Sequence, residues 1–313
     1  MKTFDFITDQ LPFGYAYNFD NYLFNKIKHI NTQGIAERAD YFIINNIKKR
    51  IEGKIHFLLS GHTAYSPYRS LFGSFEFSPR LHPNLLPEFW EHIQNDLHTR
   101  GISQVKITNY AGCYAPRKVE IIKQAMEKSG FSVVLEAVNH HIDINENPLT
   151  ERMHPMEVRR LSKSINEGFT FHHEDATCAE EIYDYLGACR GEQGLELSIT
   201  KAQLLEYLSL FPQHYLLFSI RHRHTLMAAT VAVKVHKQIL YNFLPGSLQK
   251  HKTYSPAVML NEGLYRYARE HQFELLDLGI STEKDGTNQA SLIEFKERIG
   301  GVSSAKYFFE KRI

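Results

Sequence analysis

A chain of 313 residues, 43% hydrophobic and 23% charged, holds enough apolar material for one large or two ordinary cores, and two domains is the expectation. Its formal net charge of +1 creates no global field to attract nucleic acid or an anionic membrane, so any basic site has to be local. Three scattered cysteines (Cys113, Cys178, Cys189) without a Cys-x-x-Cys pair exclude a disulfide framework, and no stretch approaches the roughly 20 apolar residues of a spanning helix. Residues 1–21 lack an apolar run of signal-peptide length, so a cytoplasmic protein without membrane insertion is expected.

In chain order, residues 19–50 carry apolar residues at helical spacing (Phe19, Leu23, Ile27, Ile30, then Ile35, Ala39, Phe42, Ile43) interrupted by Gly34, which predicts two helices. Residues 54–60 read as a strand, residues 61–69 as a polar loop, and residues 70–77 as a half-buried strand alternating Leu71, Gly73, Phe75 and Phe77. Pro87 marks a helix start whose apolar face is Phe89, Trp90, Ile93 and Leu97, stopped at Gly101. A strand over 102–109, a helix built on Val119, Ile122, Ala125 and Met126 and closed by Gly130, and a strand over 131–143 follow. Asn145 to Pro148 reads as a hinge, giving domains 1–147 and 148–313.

The second half repeats the grammar. Helices are predicted over 158–167, 179–189 and 202–210, then strands over 215–221, 226–236 and 238–244, with a tight turn near Lys237. A loop over 245–256 leads into a helix over 257–269, a strand over 273–279, a polar loop, a helix over 291–298 and a strand over 305–310. Helices, an antiparallel meander, then helix-strand-helix-strand make an α/β pattern present roughly twice.

The C-terminal residues carry a resemblance. The strand 240–244, the helix at Ala257, the strand end Asp277-Leu278-Gly279 and the pair Phe295-Lys296 before Gly300-Gly301 resemble the GNAT superfamily of N-acyltransferases, most of all the FemABX peptidyltransferases and FemAB-like acetyltransferases. The motif match covers about residues 235–310, and residues 50–235 match by order of elements. The resemblance implies two tandem GNAT-like domains, each a mixed, largely antiparallel sheet flanked by helices, with the N-terminal copy degenerate. It implies transfer of an acyl or aminoacyl group from acyl-coenzyme A or aminoacyl-tRNA to a small-molecule or peptide amine, with no metal. A splayed strand pair, a phosphate cradle and donors aimed at the developing oxyanion are what such chemistry asks for.

By the same resemblance the cradle is the loop after Leu244, where Gln249, Lys250, Lys252, Tyr254 and Ser255 would meet the donor beside a helix N-terminus. Lys252 and Tyr254 occupy positions where acyl-coenzyme A enzymes carry glycines, as FemABX-like proteins generally also lack them, and Lys250, His251 and Lys252 supply charge instead. Lys296 matches an active-site lysine that holds a donor phosphate or an oxyanion. Its spacing from Leu292, Ile293, Ile299 and Gly300 puts it on an apolar stripe, where it either serves the site or snorkels from the core edge. Asp277 either manages the amine proton or caps the next turn, and Glu283 is a second candidate base or a solvated loop carboxylate. Asn288 either bonds the donor or caps the following helix, and Phe295 completes the motif. A fold that kept its shape but only binds ligands is the alternative function.

Two further features stand apart. Among 17 histidines, His140-His141 and His172-His173 are adjacent pairs, and because adjacent residues on a strand point to opposite faces neither pair chelates by itself. The basic run Arg152, Arg159, Arg160 and Lys163 is either a solvated helix face or a dock for a phosphate-bearing partner such as transfer RNA, held mainly through phosphates.

Overall fold

In a computed structural model describing residues 3–283 and 285–313, the strands and helices alternate through the chain. The first elements are β1 (Phe4–Thr8), β2 (Ala16–Tyr17), α1 (Ile27–Ile30), β3 (Arg38–Asn45), β4 (Arg50–Ser60), β5 (Thr63–Ser66) and β6 (Glu76–Phe77). Then come α2 (Leu85–Thr99), β7 (Gln104–Thr108), α3 (Pro116–Lys128) and β8 (Ser132–Asp143). Next in order are α4 (Pro155–Asn166), β9 (Phe169–Glu174), α5 (Ala179–Gly191), α6 (Lys201–Leu210), β10 (Tyr215–His222), β11 (Thr225–His236) and β12 (Ile239–Asn242). The chain closes with α7 (Pro256–Glu270), β13 (Leu275–Ile280), α8 (Ala290–Arg298) and β14 (Val302–Arg312).

Contacts group these elements into two units, Met1–Val138 with Ser304–Ile313, and Asn139–Ser303. The cut expected at 147/148 lies inside the second unit, and most of β14 returns to the first. Within the first unit β1, β3, β4 and β5 pair antiparallel in that order, β5 runs parallel to β7, and β7 pairs antiparallel with β14. Within the second unit β9, β10, β11 and β12 pair antiparallel, β12 runs parallel to β13, and β13 pairs antiparallel with β8 from Asn139 onward. Each unit is therefore a meander whose last strand is followed by a helix, α2 or α7, and a parallel partner. A helix is the usual link between parallel neighbours, because a tight turn cannot make that connection.

Three expectations in the first half are corrected. The second helix expected in 19–50 is strand β3, buried from Ala39 to Asn45 on both faces between β1 and β4. A run such as Tyr41-Phe42-Ile43-Ile44 satisfies helical and strand periods alike, and its aromatic and β-branched residues pack well in a covered sheet. The expected strand 70–77 pairs only at Glu76–Phe77, because Gly73 N donates to Thr108 O and Ser74 N to Ser66 Oγ while Phe72 and Phe75 plug the core. The expected polar loop 61–69 contains strand β5, and β9 is a strand the periodicity did not announce.

The core of the second unit joins Ile142, Leu161, Phe218, Leu240, Leu264, Leu276 and Ile299 between α4, α7 and the sheet. Burial of an apolar side chain there contributes about 1.5–3 kcal/mol. This anchors the strand ends and helix starts described next.

Candidate functional site

Strand β13 is where the second unit departs from regularity. Its parallel ladder with β12 runs through Ile239↔Leu275, Leu240↔Leu276 and Tyr241↔Asp277. Beyond it Phe243 N and Leu244 N both donate to Val231 O, at 3.0 and 3.1 Å, so the chain after β12 stays with β11 while β13 continues to Ile280. The two strands part at Asp277. On its other edge β13 slips register against β8 between Asp277 and Gly279, a bulge that pairs Gly279 with His140 and Ile280 with Asn139.

Gly279 has to be glycine. Its φ of +74° is left-handed, and a Cβ there would lie 3.0 Å from the Tyr241 hydroxyl. The Asp277 carboxylate, 2% exposed, fixes the bulge by accepting from Gly279 N at 2.8 Å and from Asn139 Nδ2 at 2.9 Å through Oδ1. Two successive carbonyls are left to Lys296, whose Nζ donates to Gly279 O at 2.8 Å and Ile280 O at 3.0 Å. Helix α8 delivers that ammonium from its apolar stripe, with Ile299 fully buried, Leu292, Ile293 and Phe295 half-buried, and Arg298 paired with Glu294 outside.

Lys296 is 6% exposed. Burial lowers its pKa to about 8, and the Asp277 charge works against that fall. At neutral pH the group is cationic, and of its three N–H donors two are held by backbone, which leaves one for a ligand. Burial and the Asp277 charge push the Tyr241 phenol well up, so it stays a neutral hydroxyl.

Three residues at this place were not among the catalytic or donor-binding residues expected from the sequence. His140 is 0% exposed, with Nδ1 3.3 Å from Ser281 Oγ and Nε2 without a hydrogen-bond partner. Ser281 and Asn139 are likewise buried. No local pattern marks them, because β8 and β13 meet across more than a hundred residues of chain. Pairing of two sheet edges, not spacing, assembles the cluster.

The donor-loop candidates occupy a 3-10 turn, Gln249–Tyr254, ahead of α7. Gln249, Lys250 and Lys252 are exposed, and Gln249 N donates to Glu192 Oε2 at 2.8 Å. Tyr254 is half-buried with its ring 5.4 Å from that of Phe169, and Ser255 sits at φ +51° as the N-cap of α7. A buried polar chain ties that helix start to the end of β12. Thr230 Oγ1 donates to Asn242 Oδ1 at 2.6 Å, Asn242 Nδ2 to Asn261 Oδ1 at 3.2 Å, and Asn261 Nδ2 to Ala257 O at 2.8 Å.

The loop also joins the basic face of α4. Lys163 Nζ donates to Thr253 O at 3.2 Å and lies 5.1 Å from the Tyr254 ring centre, while Ser164 Oγ donates to Tyr254 O. Exposed Arg159, Arg160, Lys163, Lys250 and Lys252 thus belong to adjoining elements. Arg152 lies apart, its guanidinium 5.2 Å from the Tyr265 ring centre.

Glu283 and Asn288 lie elsewhere. Both are exposed on a small hairpin, where Glu283 N donates to Thr287 O at 2.7 Å and Thr282 bridges Asn288. Helix α8 starts after Gln289 without a side-chain cap, so Asn288 does not cap it. Among the described residues no three His, Cys, Asp or Glu side chains gather as metal ligands, and no helix is long and apolar enough to cross a membrane.

No protein-family model and no curated protein matches the chain by sequence. Solved structures do match it. The crystal structure of FemX superposes with a TM-score of 0.70 at 12% identity, covering 93% of this chain and 92% of FemX. The C-terminal domain of a lysylphosphatidylglycerol synthetase from Agrobacterium fabrum gives 0.54 at 14% identity, covering 83% of this chain and 80% of that one. A tandem GNAT protein from the clavulanic acid biosynthesis pathway gives 0.53 at 12% identity, covering 88% and 83%. The chain shares its fold with FemX and with that tandem GNAT protein.

Proposed function

We propose that the protein transfers an acyl or aminoacyl group from an activated donor to an amine. The observation that carries this is Lys296, a buried ammonium held by two carbonyls of the β13 bulge beside the point where β12 and β13 part. A cation buried at a cost in desolvation and left with one unused donor suits an oxyanion that forms only during reaction. The amine nitrogen bonds to the acyl carbon and gives up a proton. The carrier oxygen or sulfur departs with the bonding electron pair and takes one up.

In this reading Lys296 receives the developing oxyanion and Asp277 keeps Lys296 charged. Phe295 packs α8 onto the core so that the lysine is fixed. The turn from Gln249 to Ser255, with Lys250 and Lys252, meets the donor's phosphates. Its continuity with Lys163, Arg159 and Arg160 favours a donor with many phosphates, aminoacyl-tRNA, over acyl-coenzyme A. Binding to a transfer RNA releases counterions and weakens steeply with salt, whereas coenzyme A makes only a few phosphate contacts. Glu283 and Asn288, exposed on the hairpin after β13, are given no role in this reading.

The test is calorimetry and turnover with acetyl-coenzyme A and with charged transfer RNA, using the intact chain. Binding of one donor, and turnover that falls about 100- to 1,000-fold in Lys296→Ala, is expected for loss of one oxyanion donor. Binding without turnover in the wild type would leave a ligand-binding module, and no binding of either donor would remove the donor assignment.

A further inference from the structure

At the β13 bulge the proposed mechanism leaves a buried histidine idle. His140 stands opposite Gly279 in the β8–β13 ladder, the same glycine whose carbonyl holds Lys296 at 2.8 Å. Its ring is 0% exposed, Nδ1 lies 3.3 Å from the Ser281 hydroxyl, and Nε2 is sealed from solvent with no partner. Leaving a buried polar atom unpaired is costly, and most buried polar groups in native interiors have a partner. Each exception calls for an explanation, of which a catalytic role is one.

The surroundings decide which role the ring can play. Burial disfavours a charge on it most, Lys296 on α8 and His141 on β8 add to that, and only Asp277 on β13 favours one, so its pKa falls to about 4. A base that weak takes up little of an amine's proton near pH 7. A histidine held neutral is well suited to the opposite task, giving an N–H to a developing negative charge without surrendering it. A Ser281 hydroxyl that donates to Nδ1 would leave the imidazole's own hydrogen on Nε2, the atom without a partner.

We infer that His140 is a second oxyanion donor, offering a neutral Nε2–H to the acyl oxygen beside the free N–H of Lys296, with Ser281 fixing the tautomer. This deepens the acyl-transfer reading above and rests on it. Two donors on one oxygen, one cationic and one neutral, arise because the bulge brings β8 and α8 to the same turn of β13. Their separation along the chain is why no motif reveals the pair.

Glutamine and alanine at this position distinguish the roles, because the glutamine amide keeps an N–H near the place of Nε2 whereas alanine keeps nothing. Turnover with the donor that the wild type uses should fall about 100-fold in kcat in His140→Ala, with KM little changed, and stay within about tenfold of wild type in His140→Gln. Unimpaired turnover in His140→Ala overturns the inference alone, as does a His140→Gln variant as slow as His140→Ala. A wild type without turnover on either donor removes the acyl-transfer reading and this inference with it. Nitrogen-15 NMR of histidine-labelled wild-type protein, with the resonance assigned by its loss in His140→Gln, supplies a readout that needs no activity. The expected signal is a neutral Nε2–H tautomer down to about pH 5, and an Nδ1–H tautomer or a titration near pH 6.5 overturns the inference.

Discussion

Lys296 illustrates how far one residue's chemistry follows from its place on a helix. Its spacing from Leu292, Ile293 and Ile299 identified a lysine on an apolar stripe, and the same side chain is buried against two carbonyls. Its lowered pKa, about 8, gives the acyl-transfer reading a sign that can be checked. If the ammonium is the working form, kcat/KM falls as pH rises through about 8. A lysine acting as a base gives a rise there instead. The Asp277 charge raises the Lys296 pKa, so Asp277→Asn, which keeps an acceptor for Gly279 N and Asn139, should move the falling limb to lower pH. A limb that stayed in place in pH–rate profiles of the two proteins would separate Asp277 from Lys296.

At the scale of elements, what was legible depended on whether a signal was local. Helices α2, α3 and α7 were legible because a proline start, a glycine or polar stop and an apolar face coincide. The meander β10 to β12 was legible through its turns. Strand β3 was misread because a run buried on both faces has no period of its own, and β9 was missed because only Phe169 of its six residues is fully buried. The bulge in β13 had only the glycine as a trace. Gly279→Ala places a side chain in a left-handed conformation, which costs about 1–2 kcal/mol, and sets it 3.0 Å from the Tyr241 hydroxyl. Gly168, at φ +82° with nothing within 4 Å of a Cβ, is the control that carries the conformational cost alone. Denaturant melts should show Gly279→Ala as the more destabilised, and only Gly279→Ala should also lose turnover, since it shifts the carbonyls that hold Lys296. Equal stability losses with equal activity would mean that the bulge is not what positions the lysine.

Across the whole molecule, each unit buries a histidine that folding holds neutral. His140 is one, and His56, with Nδ1 2.8 Å from Asp40 Oδ1, is the other, its pKa also lowered to about 4 by burial that outweighs the Asp40 partner. The unfolded chain binds a proton at each site below about pH 6.5, while the folded chain does so only below about pH 4. Between those values the unfolded state carries more protons, so stability falls as pH is lowered, by roughly 1.4 kcal/mol per pH unit at each site. Asp40 adds to the loss at the acid end, because although burial raises its pKa, the hydrogen bonds from His56 and Arg38 and the Arg38 charge hold it below the ordinary carboxylate value. Chemical denaturation across pH 7 to 4 should therefore show a falling stability whose slope is reduced in His56→Gln and again in the double variant with His140→Gln. Glutamine keeps hydrogen-bonding groups but cannot titrate, so a slope unchanged in both variants would show that other groups govern the acid response. The two substitutions also differ in what they should do to function. His56→Gln should change acid stability while leaving turnover near pH 7 within about twofold, because His56 touches none of the groups gathered at the β13 bulge.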